Sequence, residues 1–185
     1  MTDTVGATEF DFKSTAMHEL LHAFGFSSYV GENGEGLTGQ PAGTADTWSI
    51  YDQFLTDASG NRLVGTDGVF DPSKVGALTS GGVTFNGPNA MAANGGNGVP
   101  IYSPSPWEEG SSIAHTNDDD SITAGTLMNA ATFSGLGART LTALEIGILK
   151  DIGYASVVPV PAAVWLFFSG IMALFGFSRK HRRPV

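Results

Sequence analysis

The sequence predicts an α+β domain that is followed by a single transmembrane helix. Two helical patterns, between Ser14 and Gly25 and at residues 140–152, enclose a region at 27–139 that is rich in Gly, Asn, Ser and Thr. This region contains short apolar runs, typical of brief strands or turns within long loops, at residues 48–51, 54–55 and 83–85. An uncharged stretch then extends from Val157 to Phe177, and its length and apolar character predict a helix that crosses a bilayer.

The first helix is predicted by an apolar repeat and by residues that suit its two ends. Ser14 is the predicted N-cap, and Gly25 stands where a helix commonly ends in the left-handed conformation. The apolar residues recur at i, i+3, i+4 and i+7, as one face of a helix requires, and are Met17, Leu20, Leu21 and Phe24.

The same helix carries the pattern HExxH at residues 18–22. At about 100° per residue, His18 and His22 lie about 40° apart around the helix and one turn apart along it, so both rings can reach one metal ion. Glu19 points away from such an ion but lies beside a water bound to it, which is the position of a general base. An ordinary amphipathic helix with two surface histidines is the alternative.

Residues 18–26 read HELLHAFGF, which resembles the zinc helix of the metzincin metallopeptidases. In that family a third histidine normally follows the glycine by three residues, but Ser28 occupies this position here. A catalytic zinc takes three protein ligands and keeps one position open, so a ligand is expected further along the chain. The remaining histidines are His115 and His181, and His181 lies in a basic tail.

A distant histidine followed by a methionine extends the resemblance to the leishmanolysin-like branch of the metzincins, in which a long insertion precedes the third ligand. Met128 lies thirteen residues after His115. The resemblance implies that His18, His22 and His115 bind one Zn²⁺ and that Glu19 is the catalytic residue. It also implies a zinc metalloendopeptidase whose substrate is a peptide or protein.

Carboxylates offer the alternative third ligand. The run Asp118–Asp120 follows His115 closely, and Glu145 lies on the later helix. Thr142 and Glu145 fit a capping box, which explains Glu145 locally. The Asp run fits a solvated turn or a calcium-binding loop, because Ca²⁺ favours oxygen ligands.

The C-terminal segment has the features of a sorting signal. Residues 158–183 begin VPVPAAVWLFF and end in a cluster of Arg and Lys at 179–183, and they closely resemble the PEP-CTERM signals of VPxPA form. The resemblance implies an exported bacterial protein with an inner-membrane anchor and a periplasmic catalytic part. An exosortase-type processing enzyme then delivers it to the cell surface or extracellular matrix. A plain membrane anchor or a buried core helix is the alternative.

These features divide the chain into a metallopeptidase-like domain at 1–156 and a sorting domain at 157–185. Residues 1–13 contain neither a signal peptide nor room for the sheet that metzincins place before the zinc helix. The first domain is therefore expected to be truncated at its N-terminus.

Composition narrows the functional classes. The full chain has a formal net charge of −9. Four of its nine Lys and Arg lie in the tail, so the part before the predicted membrane helix has five against eighteen Asp and Glu, a formal charge of −13. This negative charge disfavours nucleic acid as a partner. Cysteine is absent, which leaves histidine and carboxylate as metal ligands. Two functions stay open: a zinc endopeptidase, and a degenerate or truncated surface or matrix protein that retains the scaffold.

Overall fold

Short helices and strands joined by long irregular segments make up residues 4–154, the part of the chain that this computed structural model describes. All of these residues except Tyr154 belong to one compact unit, Met1–Gly153. The elements of this small α+β fold are, in chain order, α1 (Phe12–Ala23), a 3-10 helix (Tyr51–Phe54), β1 (Leu55–Thr56), a second 3-10 helix (Pro72–Thr79), β2 (Thr84–Phe85), α2 (Pro88–Ala93), β3 (Val99–Pro100) and α3 (Ala143–Asp151).

The predicted fold is wrong for this part of the chain in one respect, the transmembrane helix. Within residues 4–154 no helix has the length and apolar character needed to cross a bilayer, and the longest, α1, has 12 residues. The prediction that the membrane is a partner of the protein is wrong for these residues for the same reason. The segment 157–177, on which both predictions depend, and the predicted domain boundary after residue 156 lie outside the described residues.

The three strands form one antiparallel sheet in the order β1-β2-β3. Its register places Phe85 opposite both Leu55 and Val99, and all three side chains are fully buried. Tyr51 packs on this layer, with ring centroids 5.0 Å from Phe85 and 5.3 Å from Phe26. Because Phe26 follows α1 closely, this aromatic core fixes the end of the helix relative to the sheet.

Helix α1 begins three residues earlier than predicted, because Asp11 rather than Ser14 is its N-cap. One carboxylate oxygen of Asp11 accepts hydrogen bonds from the N–H groups of Lys13 and Ser14. The predicted end is confirmed: Gly25 has a φ of 90° and its N–H donates to the carbonyl of His22, a conformation that favours glycine.

The predicted apolar face of α1 is only partly buried. Leu21 is buried and Met17 packs against the core, whereas Leu20 and Phe24 are 54% and 49% exposed. The side of the helix that faces the protein therefore carries Leu21 and the two histidines. The apolar repeat is therefore confirmed for Met17 and Leu21 and wrong for Leu20 and Phe24.

Helix α3 carries the predicted capping box. Thr142 Oγ1 accepts from the N–H of Glu145, and the Glu145 carboxylate accepts from the N–H of Thr142, so this prediction is confirmed. Helix α3 packs closely on α2 at Gly147, where an added Cβ would lie 2.7 Å from the Cα of Ala90. Only glycine permits this approach of the two backbones.

Candidate metal centre

The side chains of the three histidines that were predicted as ligands lie close together. The Nε2 atoms of His18, His22 and His115 lie 3.1 Å from one another in all three pairs. His115 is 5% exposed, and the two helical histidines are half-buried. Within residues 4–154 this is the one group of three or more His, Asp or Glu side chains arranged so that it could hold a metal ion.

The other ring nitrogen of each histidine contacts a backbone carbonyl. The Nδ1 atoms of His18, His22 and His115 lie 2.8 Å from carbonyl oxygens, which belong to Leu127, Phe26 and Ser111 respectively. A carbonyl oxygen can only accept, so each Nδ1 must carry the proton. In a neutral ring the Nε2 atom is then an unprotonated lone-pair donor to a metal.

Three lone pairs that face one another at 3.1 Å repel unless a cation lies between them. Nitrogen ligands about 2.0–2.1 Å from a tetrahedral zinc ion lie about 3.3 Å apart, close to the separations found here. The residues present therefore fit a metal ion held by three imidazole ligands.

Burial favours the neutral form of two of the rings, His22 and His115. Desolvation lowers the pKa of His115 to about 4, and it also lowers the pKa of His22. The protonated forms of these two imidazoles are thus disfavoured at neutral pH, and both rings remain available as ligands.

A strained turn presents His115 to the helix. Ile113 has a φ of 65°, a conformation that β-branched residues rarely adopt. It lies between Ser111 and His115, whose carbonyl and Nδ1 form the hydrogen bond that fixes the ring. The backbone of His115 is also held, because the N–H of Tyr102 donates to the carbonyl of His115 at 2.9 Å. Strain of this kind persists where the surrounding structure fixes a functional side chain.

Glu19 directly follows His18 in helix α1. Its side chain is exposed, and its negative charge acts to raise the pKa of His22, against the larger effect of burial. The carboxylate is therefore close enough to His22 for its charge to be felt there.

The segment around Met128 lies against the metal centre. The carbonyl of Leu127 accepts from His18 Nδ1, and the carbonyl of Met128 accepts from the N–H of Thr116, next to His115. The Met128 side chain is fully buried. Backbone carbonyls carry no sequence signal, so this support of two ligands by one segment could not be predicted from residue types.

The alternative carboxylate ligands do not join the histidines. The two oxygens of Asp118 accept from the N–H groups of Ala130 and Ala131 at 2.7 Å each, and Asp120 accepts from the N–H of Ile122. The Asp run is therefore part of a hydrogen-bonded turn. Neither these residues nor Glu145 belongs to the group of possible metal ligands found in the described chain.

Ser28, which occupies the position of the family's usual third histidine, has another partner. Its hydroxyl donates to Asp52 at 2.6 Å, and the other oxygen of Asp52 accepts from the N–H groups of Tyr29 and Ser49. Asp52 is fully buried, and burial raises its pKa. This acid organises the chain after α1, a role that no motif in the sequence indicated.

A cavity of about 380 Å³ borders the metal centre. Its lining includes His18 and Leu127 from the centre itself, together with Asp118, Phe133 and Leu136. Phe133 and Leu136 are exposed apolar side chains. The cavity therefore combines an apolar wall with three acidic side chains, Asp11, Asp118 and Asp119, next to His18. Its volume is in the range of small ligand sites.

Comparisons of the chain with protein families, with curated proteins and with solved structures found no match. The geometry of the site therefore carries the functional argument.

Proposed function

We propose that the protein is a zinc-dependent hydrolase of peptide bonds, of the metzincin type, with His18, His22 and His115 as metal ligands. The observation that carries this proposal is the convergence of three Nε2 lone pairs, each fixed by an Nδ1–H that donates to a backbone carbonyl. Three neutral imidazoles and an open position are typical of catalytic zinc rather than structural zinc.

His18, His22 and His115 would hold a zinc ion, which would lower the pKa of a coordinated water to about 7 and polarise a substrate carbonyl. The protein supplies the remaining functions. Glu19 accepts the proton of the attacking water and returns it to the leaving amine, and the cavity beside His18 receives a substrate side chain. The carbonyls of Leu127, Phe26 and Ser111 keep the three rings aligned during turnover.

The test combines zinc content with peptide hydrolysis in the full 185-residue chain. We expect about one zinc per chain and cleavage of a broad library of quenched-fluorescent peptides. Glu19→Gln keeps the shape of the side chain but removes the base, so turnover should fall at least about 10²–10⁴-fold while zinc content is unchanged. Glu32→Gln, at another exposed glutamate, is the matched control and should retain activity.

Two results would contradict the proposal. One is cleavage by Glu19→Gln at the parent rate, which would exclude Glu19 as the base. The other is a chain that binds one zinc and cleaves no peptide in the library, which would instead support a metal-binding surface or matrix protein.

A further inference from the structure

Glu145 has a buried carboxylate that serves more than the capping box. One oxygen accepts from the N–H and the hydroxyl of Thr142, at 2.7 and 2.8 Å, which completes the cap of α3. The other oxygen accepts from the N–H of Met128 at 2.8 Å. The residue is fully buried, so water does not compete for these bonds, and a carboxylate that accepts N–H donors forms strong hydrogen bonds.

The N–H of Met128 and the carbonyl of Leu127 belong to the same peptide group. That carbonyl accepts from His18 Nδ1 at 2.8 Å. The peptide group is planar and rigid, so a carboxylate that fixes its N–H also fixes the direction of its carbonyl. A continuous chain of hydrogen bonds therefore extends from the Glu145 carboxylate through one peptide group to the imidazole of His18.

From this chain we infer that Glu145 is a positioning residue for the metal centre: it orients and polarises the Leu127–Met128 peptide group and through it His18. Hydrogen bonds in series strengthen one another, and a carboxylate behind a metal-bound histidine increases the basicity of the ring. Here one peptide group stands between the carboxylate and the histidine. The inference rests on the proposed metal centre and extends it to a residue on α3.

His115, the buried histidine of the group, provides a contrast within the same site. The carbonyl of Ser111 accepts from His115 Nδ1, and the N–H of the same peptide group, on Ser112, donates to the backbone carbonyl of Glu108 at 2.9 Å. Behind His115 the peptide N–H therefore donates to a neutral carbonyl, that of Glu108, whereas behind His18 it donates to the charged carboxylate of Glu145. The charge of Glu145 is therefore directed at one ligand.

The experiment measures the affinity of the full chain for Zn²⁺ alone, by competition with a chromophoric chelator. We expect Glu145→Ala to weaken binding by about 10–100-fold, the usual effect of removing a partner of a ligating histidine. Thr142→Ala is the matched control. It removes the hydroxyl that caps α3 and that donates to the same carboxylate, so it destabilises the helix, but it leaves the hydrogen bond from Met128 to Glu145. Its zinc affinity should equal that of the parent.

Glu145→Gln tests the same inference if the alanine variant fails to fold. The amide has the shape of the carboxylate but a single oxygen and no charge, so it cannot accept from both Met128 and Thr142. We expect a loss of zinc affinity smaller than that of Glu145→Ala. The visible absorption of the Co²⁺-loaded chain, which depends on ligand geometry, should change in both Glu145 variants and stay unchanged in Thr142→Ala.

Parent affinity in both Glu145 variants would overturn the inference, and so would an equal loss in Thr142→Ala, because a general weakening of α3 would then explain the effect. A parent chain that binds no zinc would instead contradict the proposed metal centre. The two failures are therefore distinguishable in one set of measurements.

Discussion

The two ring nitrogens of each site histidine have separate tasks. The Nδ1–H of each ring is fixed by a backbone carbonyl, and the Nε2 lone pair is left for a metal ion. Of the three, His115 is the most deeply buried, with 5% of its surface exposed. It also comes from a distant part of the chain, so its removal tests the centre without altering the HExxH helix.

His115→Ala should therefore abolish stable zinc binding, because two imidazoles on one helical turn leave the ion without its third protein ligand. The loss of zinc affinity should exceed the roughly 10–100-fold loss that follows removal of a hydrogen-bond partner of a ligand. Equilibrium dialysis with metal analysis measures it. The matched control is His181→Ala, which removes a histidine outside the group of three and should bind zinc as the parent does. A His115→Ala chain with parent affinity would exclude this residue as a ligand.

At the scale of elements, α1 is held at its first turn by a charged contact across the chain. Asp11 caps the helix and also accepts from Arg139 Nε at 2.7 Å. The hydrogen bond from Arg139 is the main reason that the pKa of Asp11 is lowered to about 2 from an ordinary value of 3.8. The metal-ligand helix therefore depends on a charge in the segment just before α3.

This contact predicts a pH dependence. The folded state holds Asp11 ionised at a pH where the unfolded chain would protonate it, so its contribution to stability is complete above about pH 3.8 and is lost as the pH falls through about 2. Asp11→Asn, which can still cap the helix, should be less stable than the parent near neutral pH. The difference should shrink across this acidic range in urea unfolding curves.

The Arg139→Gln background serves as the control for this prediction. There the charged partner is already absent, so Asp11→Asn should cost less stability than it does in the parent. A difference that is independent of pH would contradict the role assigned to the ion pair.

The contact between α2 and α3 predicts a second effect at this scale. Gly147→Ala would place a Cβ 2.7 Å from the Cα of Ala90, and overpacking of this kind costs about 1–3 kcal/mol. Gly76→Ala is the matched control, because an added Cβ there has no heavy atom within 4 Å. Chemical unfolding should show destabilisation in the first variant alone, and equal stability of both variants would contradict the close packing.

At the scale of the whole molecule, the proposed metal centre joins parts of the chain that lie far apart. The ring contacts to His115 span 97 residues from His18 and 93 from His22. An ion that binds all three rings binds the folded chain and not the unfolded one, so it adds to the free energy of unfolding. The centre thus links the first helix to the loop before the Asp turn.

Metal removal should lower the stability of the parent. Free zinc at 100 times its dissociation constant adds about 2.7 kcal/mol to the free energy of unfolding, which thermal unfolding with and without chelator would detect. In His115→Ala the unfolding midpoint should not respond to zinc. An equal response of this variant would mean that the ion stabilises the chain from another site.

The sequence by itself determined the features that depend on near neighbours along the chain. The i, i+4 spacing of His18 and His22 placed two imidazoles together because helical geometry fixes that separation. The left-handed Gly25 and the capping box of Thr142 and Glu145 followed from the local backbone conformations that those residues favour.

Tertiary structure alone decided the rest. It brought the Nε2 atom of His115 to 3.1 Å from those of His18 and His22. It paired Asp11, the N-cap of α1, with Arg139. It also placed the Glu145 carboxylate on the N–H of Met128, in the peptide group whose carbonyl contacts His18. These contacts join residues about a hundred positions apart or use backbone groups that are common to nearly every residue. Their formation depends on how the core packs, which no local pattern of side chains encodes.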